Sequence, residues 1–186
     1  MAVPRESPMF RKLLKTLFSV VAVLGLVLTA GTLLLPSDFH VERRLLVAAT
    51  PEQVYEQIAD PRRWKAWSVW NRRDPAMQIR YEGPDSGVGA VWAWRSQSEG
   101  DGRMSFTAAE PGRRLAYDLF FPDFGTTSRG ELRLAPATGG TEVSWSMTGN
   151  MGSNPMFRWI ALFADRMVGR DFEQSLQGLK QVVERR

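Results

Sequence analysis

The 186-residue chain has no cysteine and a single histidine, His40. Without thiols there is neither a disulfide framework nor a cysteine nucleophile. A zinc centre or a Ser-His-Asp triad draws on imidazoles held inside a fold. The one imidazole here lies just beyond an apolar stretch, at the start of the polar part of the chain. No metal and no cofactor are expected. An excess of one charge is also lacking outside the N-terminus. The net charge is +4 and the pI near 9.8, but Arg5, Arg11, Lys12 and Lys15 against Glu6 place +3 of it in the first fifteen residues. The later arginines alternate with acids, as in Glu42–Arg44 and Arg129–Arg133, which is the pattern of a solvated mixed-charge surface. No nucleic-acid partner is expected. Internal repeats and low-complexity tracts are absent too.

What is present is apolar and begins early. Thr16–Leu35 runs twenty residues without a charge, and at ~1.5 Å rise per residue a helix of that length spans ~30 Å, the hydrocarbon thickness of a bilayer. The spacing predicts a basic cytoplasmic segment over residues 1–15, a single transmembrane helix over 16–35, a linker over 36–38 and one domain over 39–186. Cations before the span place the N-terminus inside and the domain on the extracytoplasmic side. The competing reading is a cleaved signal peptide, whose apolar region is ~7–15 residues long and ends in small residues. Cleavage after Ala30 would put Leu28 at the −3 position, and cleavage after Gly31, with Thr29 there, is only a weak match. The anchor is the better fit.

The domain opens with a strand-like run, Phe39–Val47. Thr50-Pro51-Glu52-Gln53 then predicts a helix start, with Thr50 as cap, Pro51 in the first turn and Gln53 closing a capping box. Asp60-Pro61 repeats the device before a second short helix over Arg62–Trp67. From Met77 the period becomes two: Met77/Ile79/Tyr81, Trp92/Trp94, Met104/Phe106/Ala108, Leu115/Tyr117/Leu119, Leu132/Leu134 and Val143/Trp145/Met147 alternate with polar or small residues. Turn residues separate these runs, as in an antiparallel meander with one buried face. After Asn154, apolar residues recur at three- and four-residue steps from Met156 to Val183, predicting one long amphipathic helix, with Gly169 as a place to bend. The expected fold is α+β: seven antiparallel strands wrapped on a C-terminal helix.

Pro51–Pro61 with Trp64 and Trp67 resembles the opening helices of the START/polyketide-cyclase superfamily (SRPBCC), in its membrane-anchored polyketide cyclase/dehydrase-like branch. Gly87-Val88-Gly89 before Trp92-Ala93-Trp94, Pro111 with Leu115-Ala116-Tyr117, Gly139–Trp145 and Met167–Phe172 match in order, so the resemblance covers Phe39 to about Val183. It implies a helix-grip (START-like) fold with a cavity between sheet and helix, where members hold lipids, sterols, polyketides or plant hormones. It carries no shared catalytic set.

Seven tryptophans are many for this length. The candidate cavity lining is Trp64, Trp67, Trp92, Trp94, Phe106, Tyr117, Trp145, Met147, Trp159, Phe163 and Met167. Aromatic walls suit a small-molecule pocket; equally, such rings fill cores that hold nothing. Arg80, Arg95 and Asp118 are out of phase with the strands' apolar residues and read as exposed. Asp165, Arg166, Arg170 and Asp171 read as surface ion pairs on the last helix. Pro122–Thr126 and Gly149–Ser153 are candidate gating loops or ordinary connections. The leading reading is membrane-anchored binding of a hydrophobic or amphipathic small molecule, lipid-like or polyketide-like. The alternatives are a ligand-free interaction module of a membrane complex and a cyclase or dehydratase using Tyr, Asp or Glu.

Overall fold

The computed structural model describes residues 8–152 and 154–185. Arg5 and Glu6 of the basic segment, and Ser153 of the second loop, lie outside the described residues. The first helix, α1 (Pro8–Leu34), starts before the uncharged run, because Arg11, Lys12 and Lys15 are themselves good helix formers. Its stretch Met9–Gly31 is long and apolar enough to cross a membrane, and it is exposed along its length until its last residues, where Gly31 is buried.

The domain follows as β1 (Asp38–Val47), α2 (Pro51–Ile58), a 3₁₀ turn (Arg63–Ala66) and α3 (Val69–Arg73). Then come β2 (Gln78–Glu82), β3 (Val91–Arg95), β4 (Gly102–Glu110), β5 (Arg114–Phe121), β6 (Thr126–Ala137), β7 (Gly140–Asn150) and α4 (Pro155–Glu184). The capping box forms: Thr50 Oγ1 accepts from the Gln53 amide at 3.4 Å, and the Gln53 side chain accepts from the Thr50 amide at 2.9 Å. Such a cap contributes about 1 kcal/mol to the helix it starts. Asn154 caps α4 by accepting from the Met156 amide.

All seven strands pair antiparallel in one sheet of order β1-β7-β6-β5-β4-β3-β2. Alternation puts Val41, Val143, Trp145, Leu132, Tyr117, Leu115 and Phe106 on one buried face, against the buried stripe Phe172, Leu176, Leu179 and Val183 of α4. A register shift after Phe106 bulges β4 and tightens the local twist. Gly102 and Gly130 sit on that inner face where a Cβ would overlap the Trp94 and Tyr117 rings, so large rings lie over small neighbours. α4 does not break at Gly169: that residue makes room for the Arg43 guanidinium crossing from β1.

Candidate functional site

Trp64 is the hub of the interior. Its ring lies 4.6 Å from Trp67, 5.6 Å from Trp145, 5.8 Å from Trp92 and 6.0 Å from both Phe106 and Tyr117. The segment carrying it is pinned by its own indoles. Trp64 Nε1 donates to the Ile58 carbonyl at 2.8 Å, and Trp67 Nε1 donates to the Gln57 carbonyl at 3.2 Å. Ser175 Oγ of α4 accepts from the Val69 amide at 3.0 Å and seats α3 against the long helix.

Between that hub, the inner face of β3, β4, β5 and β7, and α4 lies a cavity of about 140 Å³. Trp64, Trp92, Trp94, Tyr117 and Met147, five of the residues expected there, line it. Trp67, Phe106 and Trp145 sit behind them as buried core. Trp159 instead packs on Gly31 of α1, while Phe163 and Met167 are exposed on the far side of α4. Periodicity selected them because α4 is apolar on two faces in its first half. The wall also includes Trp70, Phe121, Val168 and Phe172, together with two acids, Glu99 and Asp171.

The polar groups are few and specifically placed. Trp145 Nε1 donates to Tyr117 Oη at 2.8 Å, which leaves the phenolic proton without an acceptor among the described residues. Burial pushes the Tyr117 phenol well above its ordinary range, the hydrogen bond from Trp145 opposing it, so the hydroxyl stays protonated. Trp92 Nε1 is buried and has no partner among the described residues. Two of the lining residues, Trp92 and Tyr117, thus each carry a buried donor without an acceptor among the described residues, and the walls are aromatic. Arg73 closes its rim: Nη1 donates to Asp171 Oδ2 at 3.0 Å, Nη2 donates to Oδ1, and Nη1 lies 3.6 Å from Glu99. Three elements, α3, the β3–β4 loop and α4, meet at that arginine.

The volume admits something near a single ring; an engineered apolar cavity of about 150 Å³ holds benzene, and drug-sized ligands occupy roughly 300–1,000 Å³. A larger hollow of about 790 Å³ over Asp38, His40, Asp118 and Arg129 is open, polar strand surface and encloses nothing.

Residues 38–184 match the sequence model of the family described as polyketide cyclase / dehydrase and lipid transport. No protein of curated function matches the chain. Among solved structures, a protein of Chromobacterium violaceum superposes with a TM-score of 0.55 at 21% identity, covering 78% of this chain and 96% of that one. A protein of Mesorhizobium loti gives 0.57 at 19%, covering 78% and 97%. The di-domain ARO/CYC StfQ from the steffimycin biosynthetic pathway gives 0.59 at 17%, covering 81% of this chain and 51% of that one. At these identities the likeness is one of fold, the helix grip.

Proposed function

The chain belongs to the polyketide cyclase / dehydrase and lipid transport family, and from that premise we propose that its domain encloses a hydrophobic or amphipathic small molecule, lipid-like or polyketide-like, beside a membrane to which α1 anchors it. One observation carries the reading: two residues of an aromatic-walled cavity, Trp92 and Tyr117, each carry a buried donor with no acceptor among the described residues. Leaving a buried donor unmatched costs about 1–3 kcal/mol, so a ligand oxygen that accepts from both recovers that free energy on entry. The aromatic walls select the rest of the ligand for apolar surface. A chain longer than the cavity enters by parting the Arg73 contacts at the rim.

The test is a matched pair of probes on the full chain in lipid nanodiscs, followed by intrinsic tryptophan fluorescence. Indanone carries a carbonyl and indane a methylene in the same ring frame. Indanone is expected to bind roughly two- to tenfold tighter, and Trp92→Phe to remove that preference. Equal affinities would reject the donor pair as a ligand site. Mass spectrometry of compounds retained through purification identifies the natural occupant.

The enzymatic alternative has its own observation: Glu99 and Asp171 are the carboxylates among the described lining residues. It predicts that the retained compound loses the mass of one water on incubation, and that Glu99→Gln stops the loss while retention persists.

A further inference from the structure

The outward face of α4 changes character part-way along. Met156, Phe163, Met167, Gln174 and Gln181 follow one another at steps of 7, 4, 7 and 7. At 3.6 residues per turn they lie within about 20° of a single line. That line is opposite the buried stripe of Ala161, Ala164, Phe172, Leu176 and Leu179, with Val168 partly buried beside it. Met156, Phe163 and Met167 are 66%, 50% and 61% exposed, with Leu162 at 48% to one side. Gln174 and Gln181, on the same line, are exposed in the ordinary way of a surface helix. One half of a solvent-side helix face is thus apolar and the other polar.

The apolar half is the half that meets the end of α1. The Trp159 indole fills the place where a Cβ on Gly31 would stand, and Arg158 Nη1 donates to the Leu35 carbonyl at 3.3 Å. Whatever medium surrounds the exposed apolar side chains of α1 therefore reaches the start of α4. Arg166 and Arg170 are exposed on the same side of α4 as Met167, at the edge of the apolar half. That is the order of an interfacial helix: apolar side chains below the headgroups and arginines at the phosphate level.

We propose that the first half of α4, through Met156, Phe163 and Met167, lies in the headgroup–acyl boundary of a phospholipid membrane carrying anionic lipid. This rests on reading α1 as a bilayer span. The docking also gives the cavity an apolar approach. Rings succeed one another from its wall to the first turn of α4, Trp94 to Phe121 at 5.8 Å, Phe121 to Phe124 at 6.1 Å and Phe124 to Phe157 at 5.3 Å.

The missing cysteine makes the test clean. Single-cysteine variants Leu17→Cys, Phe163→Cys, Met167→Cys, Gln174→Cys and Gln181→Cys of the full chain are spin-labelled and reconstituted in phosphatidylcholine–phosphatidylglycerol vesicles. Accessibility to oxygen and to a water-soluble nickel chelate is then read at each label. Labels at 17, 163 and 167 should lose access to nickel and keep access to oxygen, while labels at 174 and 181 remain open to nickel. Nickel access at 163 and 167 with lipid exposure at 17 would overturn the docking and leave the span standing. Nickel access at 17 as well would overturn both. Shielding of 163 and 167 from both reagents would mean that protein covers the face, and would overturn the lipid assignment.

Discussion

The Trp145 indole stacks on the Phe172 ring with centroids 4.1 Å apart and planes 8° from parallel, joining the centre of β7 to the centre of α4. Both residues are essentially fully buried. Phe172→Ala removes the ring from between sheet and helix and is expected to cost about 3–5 kcal/mol, read as a lowered urea midpoint. Phe172→Leu, which keeps most of the volume, should cost clearly less. Equal losses would mean that the stack of the ring on Trp145, and not the filled space between sheet and helix, sets the stability there.

Tyr117 couples that centre to alkaline pH. The chain has three tyrosines, and burial raises the phenol of each: Tyr55 by burial alone, Tyr81 against the opposing pull of Arg62, and Tyr117 against the hydrogen bond from Trp145. A group whose folded value is raised leaves stability intact below its ordinary value of 10.0 and removes it progressively above. Tyrosinate absorbance should therefore rise with loss of circular dichroism and not ahead of it. Tyr117→Phe should soften this alkaline dependence. At neutral pH it should cost about 1–3 kcal/mol, because it strands Trp145 Nε1 without an acceptor.

Arg73 is a rim contact of modest energy that would, on the proposed function, govern how fast a ligand passes. Its side chain is 40% exposed, and those of Asp171 and Glu99 are 15% and 18% exposed. Arg73→Met is expected to change stability by less than about 1 kcal/mol. The same change should accelerate both entry and exit of indanone in stopped-flow fluorescence, since the β3–β4 loop loses its tie through Arg73 to α3 and α4, while Ser175 still seats α3 on α4. Unchanged rates would place the ligand route elsewhere.

The sequence made the elements legible where the chemistry is local. Thr50 with Gln53, Asn154, and the period-two runs from Ile79 to Met147 mark starts, ends and faces, and those devices act within a few residues of themselves. α3 escaped notice because five residues carry no period. Depth was harder to read than face. Strand alternation puts Tyr117, Trp145 and Phe106 on one side of the sheet, but it does not say which of them borders a cavity and which lies behind it. Asp171 reads from the sequence as an ordinary surface acid and Glu99 carries no signal, because their place at the rim depends on Arg73 arriving from α3. Phe163 and Met167 entered the candidate lining because a helix apolar on two faces satisfies the three- and four-residue rule on both.

Arg43 illustrates the same limit and carries an acid-side prediction. It falls in phase with Phe39, Val41, Leu45 and Val47 on β1, among residues that face inward. Its guanidinium runs past Gly169 to α4, donating to Asp165 at 2.8 Å and to Glu173 at 2.6 Å. The hydrogen bond from Arg43 holds the Asp165 carboxyl below its ordinary 3.8. The stability this pair contributes is complete above that value and is lost as pH falls through the lowered one. Arg43→Met should lower the urea midpoint by a constant amount at neutral and alkaline pH and flatten its fall on the acid side, where the native chain loses the same contribution.

Gly31 separates the contact of α1 from the domain's own stability. A side chain there would strike the Trp159 indole, while the core of the domain lies elsewhere, around Trp64 and Trp145. Gly31→Leu is expected to push α1 away from α4, and the domain's urea midpoint should move by no more than about 0.5 kcal/mol. A bismaleimide cross-link between cysteines introduced at Leu35 and Arg158 reports the separation, since the linker replaces the reach of the arginine side chain whose Nη1 lies 3.3 Å from the Leu35 carbonyl in the native arrangement. That cross-link should form readily in the otherwise native chain and slowly in the Gly31→Leu background. Rapid cross-linking in both would mean that α1 and α4 are held together by the short connection into β1, and not by the fit of Trp159 against Gly31.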